Sequence, residues 1–446
     1  MQQLLSWVKK YWWVIAILVF VASRVYIFVN PPVYVRYFEE YANIWYYGWP
    51  PYLKHWYEYP PASIPFVTGP LLLDLSGVGD YRMNFRSMSL FIDVIIFAVM
   101  LRVMQKLKYP PLTKLLNALF YIALTVKAKD FMYENLDLLF GLTMFLPAVA
   151  PYLVTKGKGF LQWIMYWLGT GLKLVNAPLA LLYFLGSKQP FLKRLVVPLI
   201  TFVMIWAIPL AIFRSSLSVI IIYHQNRQLQ VESFPALVVR GLNIVTKSEE
   251  IYFSQYKSFD LRGPISNVVL PISSVSLFLF VGLLSLFIWV NRDRAANPLF
   301  MMKVTLLFIF GYFLTNKVFS TPYHLWYLPL LIIFPYRHWK ERAFFYSLTA
   351  IFLGVATSPI PSIEIIKGIF LDTSLPVFTQ IPATLLLFWG VTRLNTQDIE
   401  SPALTNPSLF MKAATQTTAT TDRSAQKPRT SKNTNKTKPK RKHRRK

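Results

Sequence analysis

Apolar residues along this chain do not recur at the intervals that mark one buried face of a soluble helix. They run on. Stretches near 11–29, 86–104, 113–128, 138–153, 160–172, 174–187, 195–213, 268–290, 298–316, 325–336, 343–358 and 374–392 are almost wholly apolar. A membrane-crossing helix needs such runs because lipid offers backbone N–H and C=O groups no hydrogen-bond partner. The pattern predicts an all-α polytopic membrane protein with about 12 transmembrane helices. Several of these are short, and 160–187 can be read as one broken pair. Residues 61–78 are equally apolar, but Pro60, Pro61, Pro65 and Pro70 disfavour a straight helix there. That segment is expected at the interface, or re-entering.

The distribution of charge orients the helices. With the N-terminus cytoplasmic and 61–78 not crossing, every dense basic cluster falls on one side. These are Lys9/Lys10, Lys106/Lys108/Lys114, Lys156/Lys158, Lys188/Lys193/Arg194, Arg292/Arg294, Arg337/Lys340/Arg342, and Arg393 with the tail. Of the 20 acids only Asp293, Glu341, Asp398, Glu400 and Asp422 join them. Both ends are therefore expected in the cytoplasm. Orientation is a sufficient reason for nearly all of these bases. Asp93 lies inside a predicted span, where a charge is costly and is usually paired or functional; Arg86 and Lys127 are its candidate partners.

Composition agrees with this reading. Of 446 residues 54% are hydrophobic and only 15% charged, where soluble domains carry about 25% charge. The absence of cysteine excludes disulfides, thiolate metal sites and cysteine nucleophiles. The net charge of +27 suggests nucleic acid, but residues 401–446 hold 13 of the 47 Lys and Arg against the single acid Asp422. Residues 396–446 are therefore expected to be a disordered basic tail, drawn to anionic lipid head groups, and residues 1–395 a membrane domain. No nucleic-acid partner is expected.

Two segments on the predicted outer face, 30–85 and 214–267, are too long to be mere connectors. In residues 31–60, 12 of 30 side chains are aromatic. At helical spacing Tyr34, Tyr37, Phe38, Tyr41 and Trp45 share one face, with Glu39 and Asn43 opposite and Glu40 on a flank. This predicts a short amphipathic helix lying on the bilayer, rings down and carboxylates toward water or a cavity. An aromatic belt with two solvated glutamates would look the same.

Motifs then follow in order along the outer segments. They are Tyr41-Ala42, Gly48-Trp-Pro-Pro-Tyr52, Tyr57-Glu-Tyr-Pro-Pro61, Glu134-Asn-Leu-Asp137-Leu-Leu and Gly169-Thr-Gly-Leu-Lys173 with Pro178. Beyond these lie Tyr223-His-Gln-Asn-Arg227-Gln-Leu-Gln-Val-Glu232-Ser and Lys317-Val-Phe-Ser-Thr-Pro-Tyr323-His-Leu-Trp326. The series resembles the GT-C superfamily of integral-membrane glycosyltransferases, and within it glycosyltransferase family 87, over residues 37–326. Two positions depart from that family. Its aspartate after the first helix, the catalytic base, is replaced by Tyr34 or Val35 at that register. Its Pro-Gln pair before the late tyrosine is Thr321-Pro322 here.

The resemblance implies a GT-C-like helix arrangement and a polyprenyl-phosphate sugar donor, mannose by default. It also implies an inverting transfer to the hydroxyl of a glycolipid, glycan or protein acceptor outside a prokaryotic plasma membrane. Such transfer needs a carboxylate to take the acceptor proton, cations for the departing phosphate, and aromatic rings for the sugar. Glu40 is the first candidate for the base, then Glu39, with Glu58 also available. Lys173, His224, Arg227, Lys317 and His324 are candidates for the phosphate. Asp137, Glu134, Tyr41, Tyr59, Tyr323 and Trp326 are candidates for the sugar or acceptor. Structural roles compete for each: snorkelling for the lysines, packing for the histidines, helix N-terminal charge for Asp137 and Glu134. No cofactor is expected. The absence of an Asp-x-Asp pair or a clear ligand cluster argues against a metal, and the absence of a glycine-rich phosphate loop argues against a nucleotide-sugar donor. Movement of a lipid-linked sugar across the bilayer, by a flippase or transporter, is the alternative. A membrane scaffold with a recruiting tail is the third reading.

Overall fold

The computed structural model describes residues 2–32, 36–357 and 374–396. The chain is mostly helical. Its helices are α1 (Gln2–Val29), α2 (Tyr37–Tyr46), α3 (Ile64–Leu75), α4 (Tyr81–Lys106), α5 (Pro111–Lys127), α6 (Lys129–Met132), α7 (Asp137–Leu153), α8 (Lys158–Leu172) and α9 (Asn176–Gly186). They continue with α10 (Phe191–Phe213), α11 (Ser218–Asn226), α12 (Phe234–Thr246), α13 (Pro264–Val290), α14 (Pro298–Thr315), α15 (His324–Ile333), α16 (Trp339–Thr357) and α17 (Ser374–Arg393). Each predicted apolar stretch coincides with one of them. Five segments are long and apolar enough to cross a membrane: Ser6–Val29, Tyr81–Lys106, Phe191–Asn226, Pro264–Val290 and Pro298–Thr315.

Local chemistry sets many of the helix starts. Asp80, Ser233 and Asn297 cap α4, α12 and α14 by accepting the backbone N–H of Met83, Ala236 and Leu299. Proline, whose missing N–H is no loss in a first turn, opens α5, α13 and α14. In the proline-rich segment the 3-10 turn Pro61–Ser63 leads into α3, with Pro65 in its first turn and Pro70 inside. Its 12 residues reach only about 18 Å at 1.5 Å per residue, too short to cross a bilayer. It packs instead on α2 and α4.

The core lies where α7, α14 and α15 meet. α15 is buried on every side, and α7 is buried from Asp137 to Ala150, as all-round apolar helices must be. At the periphery α10 and α13 leave Leu192, Val196, Leu199 and Val203, and Val268, Ile272, Val275 and Leu279, exposed. Apolar rows of that length facing outward suit lipid.

One buried charge cluster ties α1 to α4 and α5. Asp93 is fully buried, and its partner is Arg24 of α1, at 2.6 Å, instead of Arg86 or Lys127. The hydroxyls of Tyr121 and Tyr133 each donate to the same carboxylate at 2.8 Å. Arg86 is engaged elsewhere: it binds Glu134 and donates to the carbonyl of Ile27. Packing of α1 against α4 and α5 sets these partners, which sequence distance could not show.

The segment 214–267 departs from an all-α reading. It holds α11, α12 and a small antiparallel sheet, β1 (Leu229–Gln230), β2 (Glu250–Phe253) and β3 (Phe259–Arg262), in the order β1-β3-β2. Leu229 pairs with Leu261, and Phe253 with Phe259. The turn between β2 and β3 has Lys257 in the left-handed region, at φ 55°. The basic tail and the register position Tyr34–Val35 lie outside the described residues.

Candidate functional site

α2 forms where the periodicity places it, and Phe38, Tyr41 and Trp45 are buried along one side. The rings do not face lipid. They join Tyr52, Tyr57, Val67, Leu71 and Phe85 in a second apolar cluster that fastens α2 to α3 and α4. The following segment doubles back tightly. Tyr52, at φ 63°, receives the His55 carbonyl on its N–H at 2.9 Å, and its hydroxyl donates to the carbonyl of Tyr59. Tyr57 is buried with its hydroxyl 2.8 Å from Ser63 Oγ. This fold turns Glu58 inward.

Glu58 is the only glutamate among Glu39, Glu40 and Glu58 that is buried, at 8% exposure. Tyr37 donates to its Oε1, and the Tyr41 hydroxyl lies 3.1 Å from Oε2 and 3.0 Å from the Tyr37 oxygen. Burial pushes the Glu58 carboxyl up to about 7; the positive charges of Arg227, Lys257 and Lys173 pull it partly back. Glu40 is exposed, and Glu39 is near Arg36 at 3.7 Å.

Beside Glu58 opens a cavity of about 390 Å³. Its walls are Tyr41, His55 and Trp56 from the segment 30–85, Tyr223 from α11, and the β2–β3 turn with Gln255, Tyr256 and Lys257. The turn is held down by the Tyr223 hydroxyl, which donates to the Tyr256 carbonyl at 3.3 Å. The Lys257 ammonium rests 4.7 and 4.8 Å from the ring centroids of Tyr37 and Tyr41. Thus the two long connecting segments, 30–85 and 214–267, meet at one carboxylate.

Next to this cavity a second group forms at the ends of α7, α8 and α15. Asp137 and Lys173 pair at 2.5 Å, and Trp326 Nε1 donates to the same Asp137 oxygen at 2.8 Å. The Lys173 ammonium lies 4.4 Å from the ring centre of Tyr323 and 5.8 Å from that of Tyr59. Asp137, Lys173, Tyr59, Tyr323 and Trp326 are therefore assembled, with the lysine charge already answered.

Arg227 and Lys317 are different. Arg227 lies over the Tyr223 ring, 5.9 Å from its centre, and reaches Gln230 at 3.5 Å, while its Nε has no hydrogen-bond partner among the described residues. Lys317 donates to the carbonyl of Gln225 at 2.9 Å, and burial, then Arg227, lowers its pKa. Neither these two cations nor Lys257 forms an ion pair with a described acid. His224 is half-buried on the last turn of α11. His324 is sealed from the cavity: it is fully buried against Phe319 and Phe352, with Nδ1 2.8 Å from the Tyr327 hydroxyl. Glu134 is bound by Arg82, at 2.9 Å, and Arg86. Among the described residues no three His, Asp or Glu side chains are grouped to hold a metal.

The sequence alone ranks Glu58 behind the exposed Glu40 and the half-buried Glu39, places Tyr37 on the aromatic face of α2 without a role at the site, and does not single out Tyr256 or Lys257. The flanking tyrosines of Tyr57-Glu-Tyr59 were the available signal for Glu58. Nothing in the sequence marks Lys257, whose role depends on the hairpin. No described protein family, curated protein or solved structure matches the chain.

Proposed function

We propose that the chain is an integral-membrane glycosyltransferase that moves a sugar from a polyprenyl-phosphate donor to an acceptor hydroxyl. One observation carries the reading. A buried carboxylate, Glu58, borders a roomy aromatic-walled cavity, with cations close by that form no ion pair with a described acid.

In the reaction the acceptor O–H gives its proton to Glu58 while its oxygen attacks the anomeric carbon from the face opposite the phosphate. The bond from that carbon to the phosphate oxygen breaks, and the electron pair leaves with the phosphate. The configuration inverts. Negative charge grows on the leaving phosphate, where Arg227 offers a planar fork and Lys317 a point charge. The Lys173–Asp137 pair, with Tyr59, Tyr323 and Trp326, forms the adjoining wall. Apolar rows on α10 and α13 suit a lipid-borne donor arriving from the bilayer. Mannose, and the outer face of a prokaryotic plasma membrane, come from the family resemblance alone.

Donor turnover tests the reading. Purified protein receives labelled polyprenyl-phosphate mannose and a lipid extract of the host, beside its Glu58→Gln variant. Transfer of label by the wild type, and its loss in a variant that still binds donor, support the proposal. Donor that crosses vesicle membranes unconsumed, at equal rates in both proteins, would point to a flippase.

A further inference from the structure

The imidazole of His55 has its tautomer set by a neighbour. The indole Nε1 of Trp45 is a donor only, and it lies 3.2 Å from His55 Nδ1. Nδ1 must therefore present a lone pair, which leaves the hydrogen of the neutral ring on Nε2. Trp45 is not free to turn away. It is buried, stacked with Tyr41 at 5.9 Å and edge-on to Tyr57 at 4.7 Å. The backbone of His55 is held as well: its N–H donates to the Pro50 carbonyl at 3.3 Å, and its carbonyl accepts from Tyr52 at 2.9 Å. The Tyr41 ring meets the imidazole edge-on at 5.1 Å. Partial burial, and then the nearby Lys257 charge, push the imidazole pKa down, which favours the neutral ring. Nε2 has no hydrogen-bond partner among the described residues, and His55 lines the cavity beside Glu58.

We propose that His55 is the ligand-orienting donor of this cavity, its Nε2–H given to a hydroxyl oxygen of a saccharide acceptor whose neighbouring hydroxyl faces Glu58. The inference rests on the glycosyl-transfer reading and names the acceptor that reading left open. The class follows from the company His55 keeps. Glu58 accepts, His55 donates and Gln255 does both, so the cavity reads several hydroxyls at once. The rings of Trp56, Tyr223 and Tyr256 supply apolar surface for the C–H side of a sugar ring. A serine or threonine side chain of a protein acceptor has one hydroxyl and would leave most of these groups unanswered.

The test uses full-length protein, labelled polyprenyl-phosphate mannose and host lipid extract, intact or oxidised with periodate to destroy saccharide diols. His55→Phe should lower kcat/KM for the acceptor by roughly 10–100-fold, the usual cost of losing one buried hydrogen bond to a ligand. Donor KM and the pH midpoint should stay unchanged. His55→Gln, whose amide keeps a donor near the Nε2 position, should recover most of the loss. Nitrogen-15 spectra of histidine-labelled protein should show His55 protonated at Nε2 in the wild type and as a tautomer mixture in Trp45→Phe. A wild-type ring protonated at Nδ1 overturns the proposal. So does full activity of His55→Phe or of the periodate-treated extract, while loss of transfer in Glu58→Gln would leave the enzyme reading standing. A wild type that turns over no donor in any mixture removes the transfer reading itself, and the acceptor assignment with it.

Discussion

Burial and nearby charge act on Glu58 in opposite directions, and their balance near pH 7 makes the proposed base testable. A general base works only when ionised, so transfer should rise as pH increases through about 7 and level off above it. Glu58→Gln should lower the rate by roughly 10²–10⁴-fold, the usual contribution of a positioned base. Glu40→Gln, at an exposed site, should change it little. The phenol of Tyr37 and the ammonium of Lys257 both favour the charged carboxylate. Tyr37→Phe and Lys257→Met should each make Glu58 harder to ionise and move the midpoint upward in a pH–rate profile. A midpoint that stays fixed in both would assign the titration to another group. The sequence could not show which of the three glutamates is buried, because helical periodicity separates wet from dry faces only within a helix. Glu39 and Glu40 lie on α2, where that rule applies. Glu58 lies in a folded-back loop whose burial is decided by Tyr52, Tyr57 and the hairpin above it.

Among elements, the helices were legible and their partners were not. Long apolar runs mark helices without reference to anything else in the chain, which is why stretches as different as 11–29 and 325–336 coincide with α1 and α15. β2 and β3 are only four residues each, mostly exposed on β2, and acquire their order by pairing with each other and with β1. No periodicity survives at that length. The same limit applies to Asp93. Its position in a span showed that it needed a partner, but Arg24 lies 69 residues away and reaches it only through the packing of α1. The energetics of that pair can be measured. Asp93→Asn leaves a buried guanidinium uncompensated and should cost about 3–5 kcal/mol in unfolding measurements in detergent. Adding Arg24→Met should recover part of the loss, since the stranded charge is then gone. Strictly additive losses would mean that Arg24 and Asp93 are not coupled.

At the scale of the whole molecule, contacts sort the connections into two groups. The long segments holding α2 and the hairpin meet at the Glu58 cavity, beside the start of α7 and the end of α8. At other connections Lys188 pairs with Asp293, Arg292 donates to the carbonyl of Ser187 at 2.6 Å, and Asn297 and Lys303 grip the carbonyls of Thr396, Thr392 and Leu394. Basic clusters predicted to share the cytoplasmic side thus touch one another, although their positions in the chain are far apart. The demanding case is α9. It must run from the Lys173 group to the Lys188 group, yet its 11 residues reach only about 16 Å, half of a hydrocarbon core about 30 Å thick. Either its flanks complete the crossing or the bilayer thins around it. Because the chain has no cysteine, single-cysteine probes report position without background. Cysteines replacing Ser76 and Gln255 should react with a membrane-impermeant maleimide on intact cells. Those replacing Lys108, Lys156 and Lys193 should react only after permeabilisation. A full reversal would invert the protein and put the cavity in the cytoplasm, where a donor presented on the outer face could not reach it. Labelling of Lys156 and Lys193 from opposite sides would mean that α8 and α9 do not form a returning pair, and that the charge distribution reflects something other than orientation.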